Sequence, residues 1–132
     1  MAWYGDNSGR NHLDSTSIEN QETRSYVQRL EDNGNGMHEV AQKRANGFGL
    51  HDMLGNVWEW VNDWFDAKYY QISPSRDPPG PASSPYGADP LRVIRGGGWD
   101  TSTKDVRLSV RGWGLARFGN EEYGFRCAQD GN

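Results

Sequence analysis

Apolar positions are sparse along this chain and fall into short patches separated by turn-forming residues. Residues 1–14 (MAWYGDNSGRNHLD) mix Gly, Asn and Asp with single aromatics and are expected to form loop. A helix is predicted over 15–31. Ser15 or Ser17 can cap it, Ile18, Tyr26, Val27 and Leu30 fall roughly on one stripe, and Asn33-Gly34 can end it. The stripe is thin, which places this helix at the surface. The densest segment is 46–64 (NGFGLHDMLGNVWEWVNDW). A turn at Asn46-Gly47 leads to a short element over 50–54, and a second turn at Gly55-Asn56 to a strand over 57–61. In that strand Val57, Glu59 and Val61 face one way and Trp58 and Trp60 the other. Residues 66–91 hold all six prolines with several Gly and Ser and are expected to be a long irregular loop. A strand over 92–95, a turn at Gly96-Gly97-Gly98, an alternating strand over 106–111 (VRLSVR) and a last short strand over 123–128 (YGFRCA) complete the pattern.

Composition narrows this picture. A length of 132 residues is one domain's worth of chain. With 34% hydrophobic residues and a mean hydropathy of −0.93, no membrane-spanning segment and no membrane partner are expected. Seventeen glycines and six tryptophans point to an irregular, loop-rich chain with tryptophans as large core pieces, and the glycines lack the period of three of collagen. A net charge of −4 and a pI near 5.3 argue against nucleic acid as a partner. The single cysteine, Cys127, excludes an internal disulfide and a Cys-based zinc site, and reads as a buried structural thiol. Residues 1–6 (MAWYGD) show no basic or apolar leader, so the cytoplasm is the default expectation. The stretch Glu31-Asp32-Asn33-Gly34-Asn35-Gly36 fails as a calcium loop of the EF-hand kind. Its first position would be Glu31 and its twelfth Gln42, so it reads as a turn.

Four motifs in order carry a resemblance. Gly49-Leu50-His51-Asp52-Met53-Leu54-Gly55-Asn56-Val57-Trp58-Glu59-Trp60, followed by Asp63-Trp64, resembles the GLYDM-GNVWEW-DW signature of the formylglycine-generating enzyme (sulfatase-modifying factor) family. Arg92-Val93-Ile94-Arg95-Gly96-Gly97-Gly98-Trp99 is similar to its RV-RGGSW segment. Arg107 and Arg111 resemble the arginine pair that follows, and Gly124-Phe125-Arg126-Cys127 its closing GFRC. The match is strong over 46–128, and 11–40 is expected to be an insertion. The resemblance implies the C-type-lectin-like fold, largely irregular α+β, in a short version that corresponds to the family's C-terminal half. A partner chain or a homodimer would then complete the domain.

The resemblance also implies a structural calcium, with carboxylate oxygens from Asp52 and Glu59 and backbone carbonyls from Gly55 and Val57. Such a set suits a hard cation on a tight glycine turn. The alternative is that Asp52 caps a turn and Glu59 pairs with an arginine. Catalysis is where the chain departs from the family. Thr101 and Val106 stand where the enzymes hold copper with two cysteines, and neither side chain can replace a thiolate for Cu(I). No copper and no formylglycine-forming activity are therefore expected. His12, His38 and His51 lack the spacing of the three-histidine iron site of the related sulfoxide synthases, and no serine sits in a nucleophile elbow.

What remains is a binding surface. In the implied fold the loops beyond the RGGSW-like segment gather on one face, here presenting Asp100, Thr101, Lys104, Trp113, Leu115, Arg117, Phe118, Asn120 and Glu121. Trp99 is expected in the core, while Trp113 and Phe118 can face either way. Aromatics beside Arg and Asn suit recognition of a protein or carbohydrate ligand. The resulting expectation is a non-catalytic, calcium-stabilised binding module, with an enzyme remnant completed by a partner chain as the alternative.

Overall fold

The computed structural model describes residues 2–20 and 26–129. In chain order it contains α1 (Ser15–Glu19), α2 (Tyr26–Asp32), β1 (Trp58–Trp64), a 3-10 turn over Tyr69–Gln71, β2 (Leu91–Arg95), β3 (Gly112–Leu115) and β4 (Tyr123–Gly124). The strands form one sheet in the order β3-β2-β1-β4. The two pairings β1–β2 and β2–β3 are antiparallel, whereas β4 lies parallel to β1.

The helix expected over 15–31 is two short helices, and the intervening 21–25 lie outside the described residues. The cap is Asp14 rather than Ser15 or Ser17. Its carboxylate accepts the Ser17 N–H at 3.0 Å and the Ser17 hydroxyl at 2.7 Å, which holds it below the usual aspartate range. The expected end at Asn33-Gly34 is found: Gly34 takes a φ of +69°, and the Asn35 N–H reaches the Leu30 carbonyl at 2.9 Å. Of the stripe, Ile18 and Leu30 are buried but Val27, in the same helix as Leu30, is 51% exposed.

The strand β1 extends three residues past its expected end, with a register slip between Trp60 and Trp64. Trp58 and Trp60 share a face, as the alternation predicts. Both lie flat across the sheet because β3 offers them glycines. A Cβ on Gly114 would stand 2.6 Å from the Trp60 ring, and one on Gly112 3.3 Å from the Trp58 ring. Tyr123 of β4 meets Trp60 edge to face at 5.1 Å. The tryptophans are thus half-buried plates on the sheet, and the buried apolar residues are Ile18, Leu30, Leu91, Val93 and Ile94.

Three further expectations are corrected. Residues 50–54 carry no regular element, since His51 Nδ1 bonds the Lys43 carbonyl at 2.8 Å and the chain is folded back there. Residues 106–111 form turns instead of a strand. Nη1 of Arg95 gathers the carbonyls of Leu108, Ser109 and Val110 at 3.3, 3.2 and 3.0 Å, and turned carbonyls cannot enter a ladder; the strand forms afterwards, as β3. The last strand stops at Gly124, where Arg126 reaches back to the loop at 51–52, and this leaves Cys127 exposed rather than buried.

Candidate metal pocket and ligand face

A polar lattice positions both candidate sites. The Asn56 side chain accepts the His38 N–H at 2.8 Å and donates to the His38 carbonyl at 3.0 Å. Its own N–H bonds the Trp3 carbonyl at 2.7 Å, while its carbonyl accepts from Trp99 at 2.8 Å. The Ser8 hydroxyl donates to the Trp99 carbonyl at 2.7 Å, and Asn35 donates to Ser8 Oγ at 2.7 Å and to the Gly5 carbonyl at 2.9 Å. Asn33 joins Asn35 at 2.7 Å. Ser8, Asn33, Asn35 and Asn56 are all buried, so every missing partner here would leave a desolvated polar group. The sequence offered only a turn signal for Asn33 and Asn35, because an isolated Asn-Gly pair does not say what its carboxamide reaches.

All four expected metal ligands, Asp52, Gly55, Val57 and Glu59, line one pocket of about 480 Å³, together with Arg126. Gly55 is fixed by a close approach: at φ +75° a Cβ would lie 2.0 Å from the Trp3 carbonyl oxygen. Asp52 Oδ2 accepts the Ala41 N–H at 2.7 Å, whereas Oδ1 is buried with no hydrogen-bond partner. An orphaned carboxylate oxygen beside a glycine turn suits a hard cation. Glu59 is otherwise engaged. Arg126 donates to it through Nε at 2.5 Å and through Nη2, and spends its remaining donors on the carbonyls of His51 at 3.1 Å and Asp52 at 3.0 Å. The Glu59 carboxylate in turn raises the guanidinium's affinity for its proton. A calcium ion bound here would have to share Glu59 with that guanidinium or displace it.

The expected ligand face divides in two. Asp100, Thr101 and Lys104 are turned to the N-terminal segment. Tyr26 OH donates to the Asp100 carbonyl, the Gly5 N–H to the Thr101 carbonyl at 2.9 Å, and Lys104 pairs with Glu19 at 2.8 Å. Burial raises the Asp100 carboxyl, and burial followed by the Asp100 charge raises Glu122. The other group follows β2 and β3. Trp113 and Leu115 pair with Val93 and Leu91, and Trp113 is 54% exposed, with Phe65 at 6.5 Å. Tyr86 stands 6.2 Å from Phe65. Arg117 pairs with Asp89 and lies over Phe118, itself 58% exposed. The Asn120 carboxamide accepts the Glu122 N–H at 3.0 Å, and Glu121 faces solvent. Trp113 and Phe118 thus point outward while Trp99 is half-buried. Phe65 and Tyr86 escaped the sequence reading because they lie at the start of the proline-rich stretch and within it, where no period marks a face.

Thr101, expected at the first family cysteine position, accepts the Gly98 N–H at 2.7 Å through its hydroxyl; Val106, expected at the second, closes a turn on the Ser102 carbonyl at 3.2 Å. His38 stacks on Trp3 at 3.7 Å, His51 binds the Lys43 carbonyl and His12 is exposed, so each histidine is placed by local structure.

Comparison with known proteins agrees with this architecture. The family model described as "Sulfatase-modifying factor enzyme 1-like domain" matches residues 3–131. A formylglycine-generating enzyme of Streptomyces coelicolor is 38% identical over 108 residues, which are 80% of this chain and 33% of that protein. Serine/threonine-protein kinase pkn1 of Chlamydia caviae is 44% identical over 87 residues, 64% of this chain and 13% of its own. Among solved structures, Treponema denticola variable protein 1 superposes with a TM-score of 0.64 at 31% identity, covering 94% of this chain and 34% of that one. The chain therefore spans about a third or less of the proteins it matches.

Proposed function

The chain belongs to the sulfatase-modifying-factor family and carries its C-type-lectin-like fold in short form, and within that family we propose that it is a non-catalytic module binding a protein or carbohydrate through the outward face around Trp113. The supporting observation is the cluster itself. Trp113, Phe65, Tyr86 and the Arg117–Phe118 pair form an aromatic surface with an arginine, and more than half of the Trp113 side chain is in contact with water. Exposed aromatic area of this kind gains most when a ligand covers it. Sugar C–H faces and apolar side chains both suit such rings. Catalysis of the family's kind lacks its thiols, since Thr101 and Val106 stand at those positions. Asp100 and Thr101 serve this reading as support beneath the loops, and Lys104, exposed, pairs with Glu19.

The test is binding of the wild type and of Trp113→Ala to glycan and peptide arrays. A ligand retained by the wild type and lost by the variant is expected. Retention by both would move the ligand site elsewhere.

In the same proposal calcium stabilises the pocket through Asp52, Glu59 and the carbonyls of Gly55 and Val57, with the orphaned Asp52 Oδ1 in support. Free calcium at about 100 times Kd should add about 2.7 kcal/mol, read as a rise in Tm that Glu59→Ala abolishes. An unchanged rise in Glu59→Ala would refute this ligand set.

The alternative is an assembly in which a partner chain or a second copy completes the domain. The small set of buried apolar residues and the outward Phe48, Ile72, Leu108 and Phe125 favour it. A dimer by light scattering would support self-association, and a clean monomer would remove that form of it.

A further inference from the structure

Among the described residues Arg95 and Arg111 make no ion pair, and the two converge on one side chain. Arg95 of β2 donates through Nη2 to the Tyr70 hydroxyl at 3.2 Å while Nη1 holds the three carbonyls of 108–110. The Arg111 guanidinium lies 4.6 Å from the centre of the Tyr70 ring and 4.9 Å from that of Phe65, and its Nη2 donates to the Asp66 carbonyl. Among the described residues, no carboxylate forms an ion pair with either arginine. Glu59 is the cross-strand partner of Arg95, yet it turns to Arg126. Asp66 offers Arg111 its carbonyl, while its carboxylate accepts the Lys68 N–H at 2.8 Å. Asp105 pairs with Arg107, and Asp89 with Arg117.

The result is two full positive charges beside a phenol that is 64% exposed, in a chain of net charge −4. We propose that Arg95, Arg111 and Tyr70 form a binding site for a tetrahedral dianion, inorganic phosphate or sulfate or the phosphate monoester group of a small ligand. Two guanidinium groups match two negative charges, and the N–H groups not already bonded to carbonyls or to Tyr70 are left to donate to the anion's oxygens. The Tyr70 oxygen accepts from Arg95, which leaves its own proton to donate to the anion. The two guanidinium groups also pull that phenol below the usual tyrosine range, as expected where positive charge is left uncompensated. A carboxylate would satisfy one charge of the two. This site stands independently of the ligand taken at Trp113, although Phe65 lies between them.

The experiment is calorimetric titration of the chain with inorganic phosphate, inorganic sulfate and acetate at constant ionic strength. Saturable binding of phosphate and sulfate is expected, with acetate at least about tenfold weaker. Phosphate binding should weaken as pH falls through the second ionisation of inorganic phosphate, near neutrality, whereas sulfate binding should not. Arg111→Met should weaken both dianions by about tenfold or more, and Tyr70→Phe, on an exposed side chain, should weaken them several-fold without unfolding the protein. Arg107→Met, whose arginine already has its own carboxylate, should leave binding unchanged. Absence of saturable binding, acetate binding as tight as sulfate, or equal affinity in Tyr70→Phe and the wild type would each overturn the proposal.

Discussion

Two regions of this molecule are held by different means. From Ala2 to Asn56 and again at Trp99, the chain is stitched by buried carboxamides and hydroxyls, each satisfied by backbone groups of a distant segment. Around β3 and the proline-rich stretch, arginines and aromatics lie against one another at the surface, with few buried side chains. The first arrangement tolerates no substitution cheaply, because a buried polar group without its partner costs about 1–3 kcal/mol. The second leaves its side chains replaceable and available to a ligand. Scaffold and surface are thereby separated within 132 residues.

The sharpest break in this contrast is Asn56→Ala. It strips partners from both the N–H and the carbonyl of His38 and puts alanine at a φ of +65°, so a loss of roughly 2–5 kcal/mol is expected in denaturant unfolding. A loss under about 0.5 kcal/mol would mean that the lattice is not what holds the N-terminal segment.

How much of this was legible in the sequence follows the same division. The motif residues reported the sheet well: Trp58 and Trp60 share a face, β2 falls within one residue of its expectation, and the glycine turns lie where they were read. The expected metal ligands do line one pocket, and the arginine that the alternative reading paired with Glu59 is Arg126, which the sequence did not single out. Failures occurred where one long-range side chain overrides a local pattern. VRLSVR alternates like a strand, and Arg95 from across the sheet claims its carbonyls. YGFRCA is apolar enough to continue as strand, yet Arg126 pulls the chain away and exposes Cys127. Phe65 and Tyr86 join Trp113 only through tertiary structure.

A smaller effect sharpens the border between the regions. Burial raises the Asp100 carboxyl above its unfolded value, so its penalty is absent below the unfolded pKa, grows as pH rises from the unfolded towards the folded pKa, and is constant above it. Asp100→Asn should therefore gain stability relative to the wild type as pH rises above the unfolded aspartate pKa of about 4. Parallel pH profiles for the two proteins would show that Asp100 is not held in a desolvated site. The smallest stability effect is expected at Trp113→Ala, less than about 1 kcal/mol, since the ring lies mostly in water. A large loss there would make Trp113 part of the scaffold and remove it from the ligand face.

Hydrogen exchange of the folded protein, resolved by residue, tests the division most directly. The amides of Asn35, Asn56 and Trp99, bonded at 2.9, 2.7 and 2.8 Å, should exchange among the slowest, together with those of β2. Amides within 66–90 should exchange far faster. If the lattice amides exchange as quickly as those of 66–90, buried carboxamides are not the scaffold and the separation from the binding surface fails.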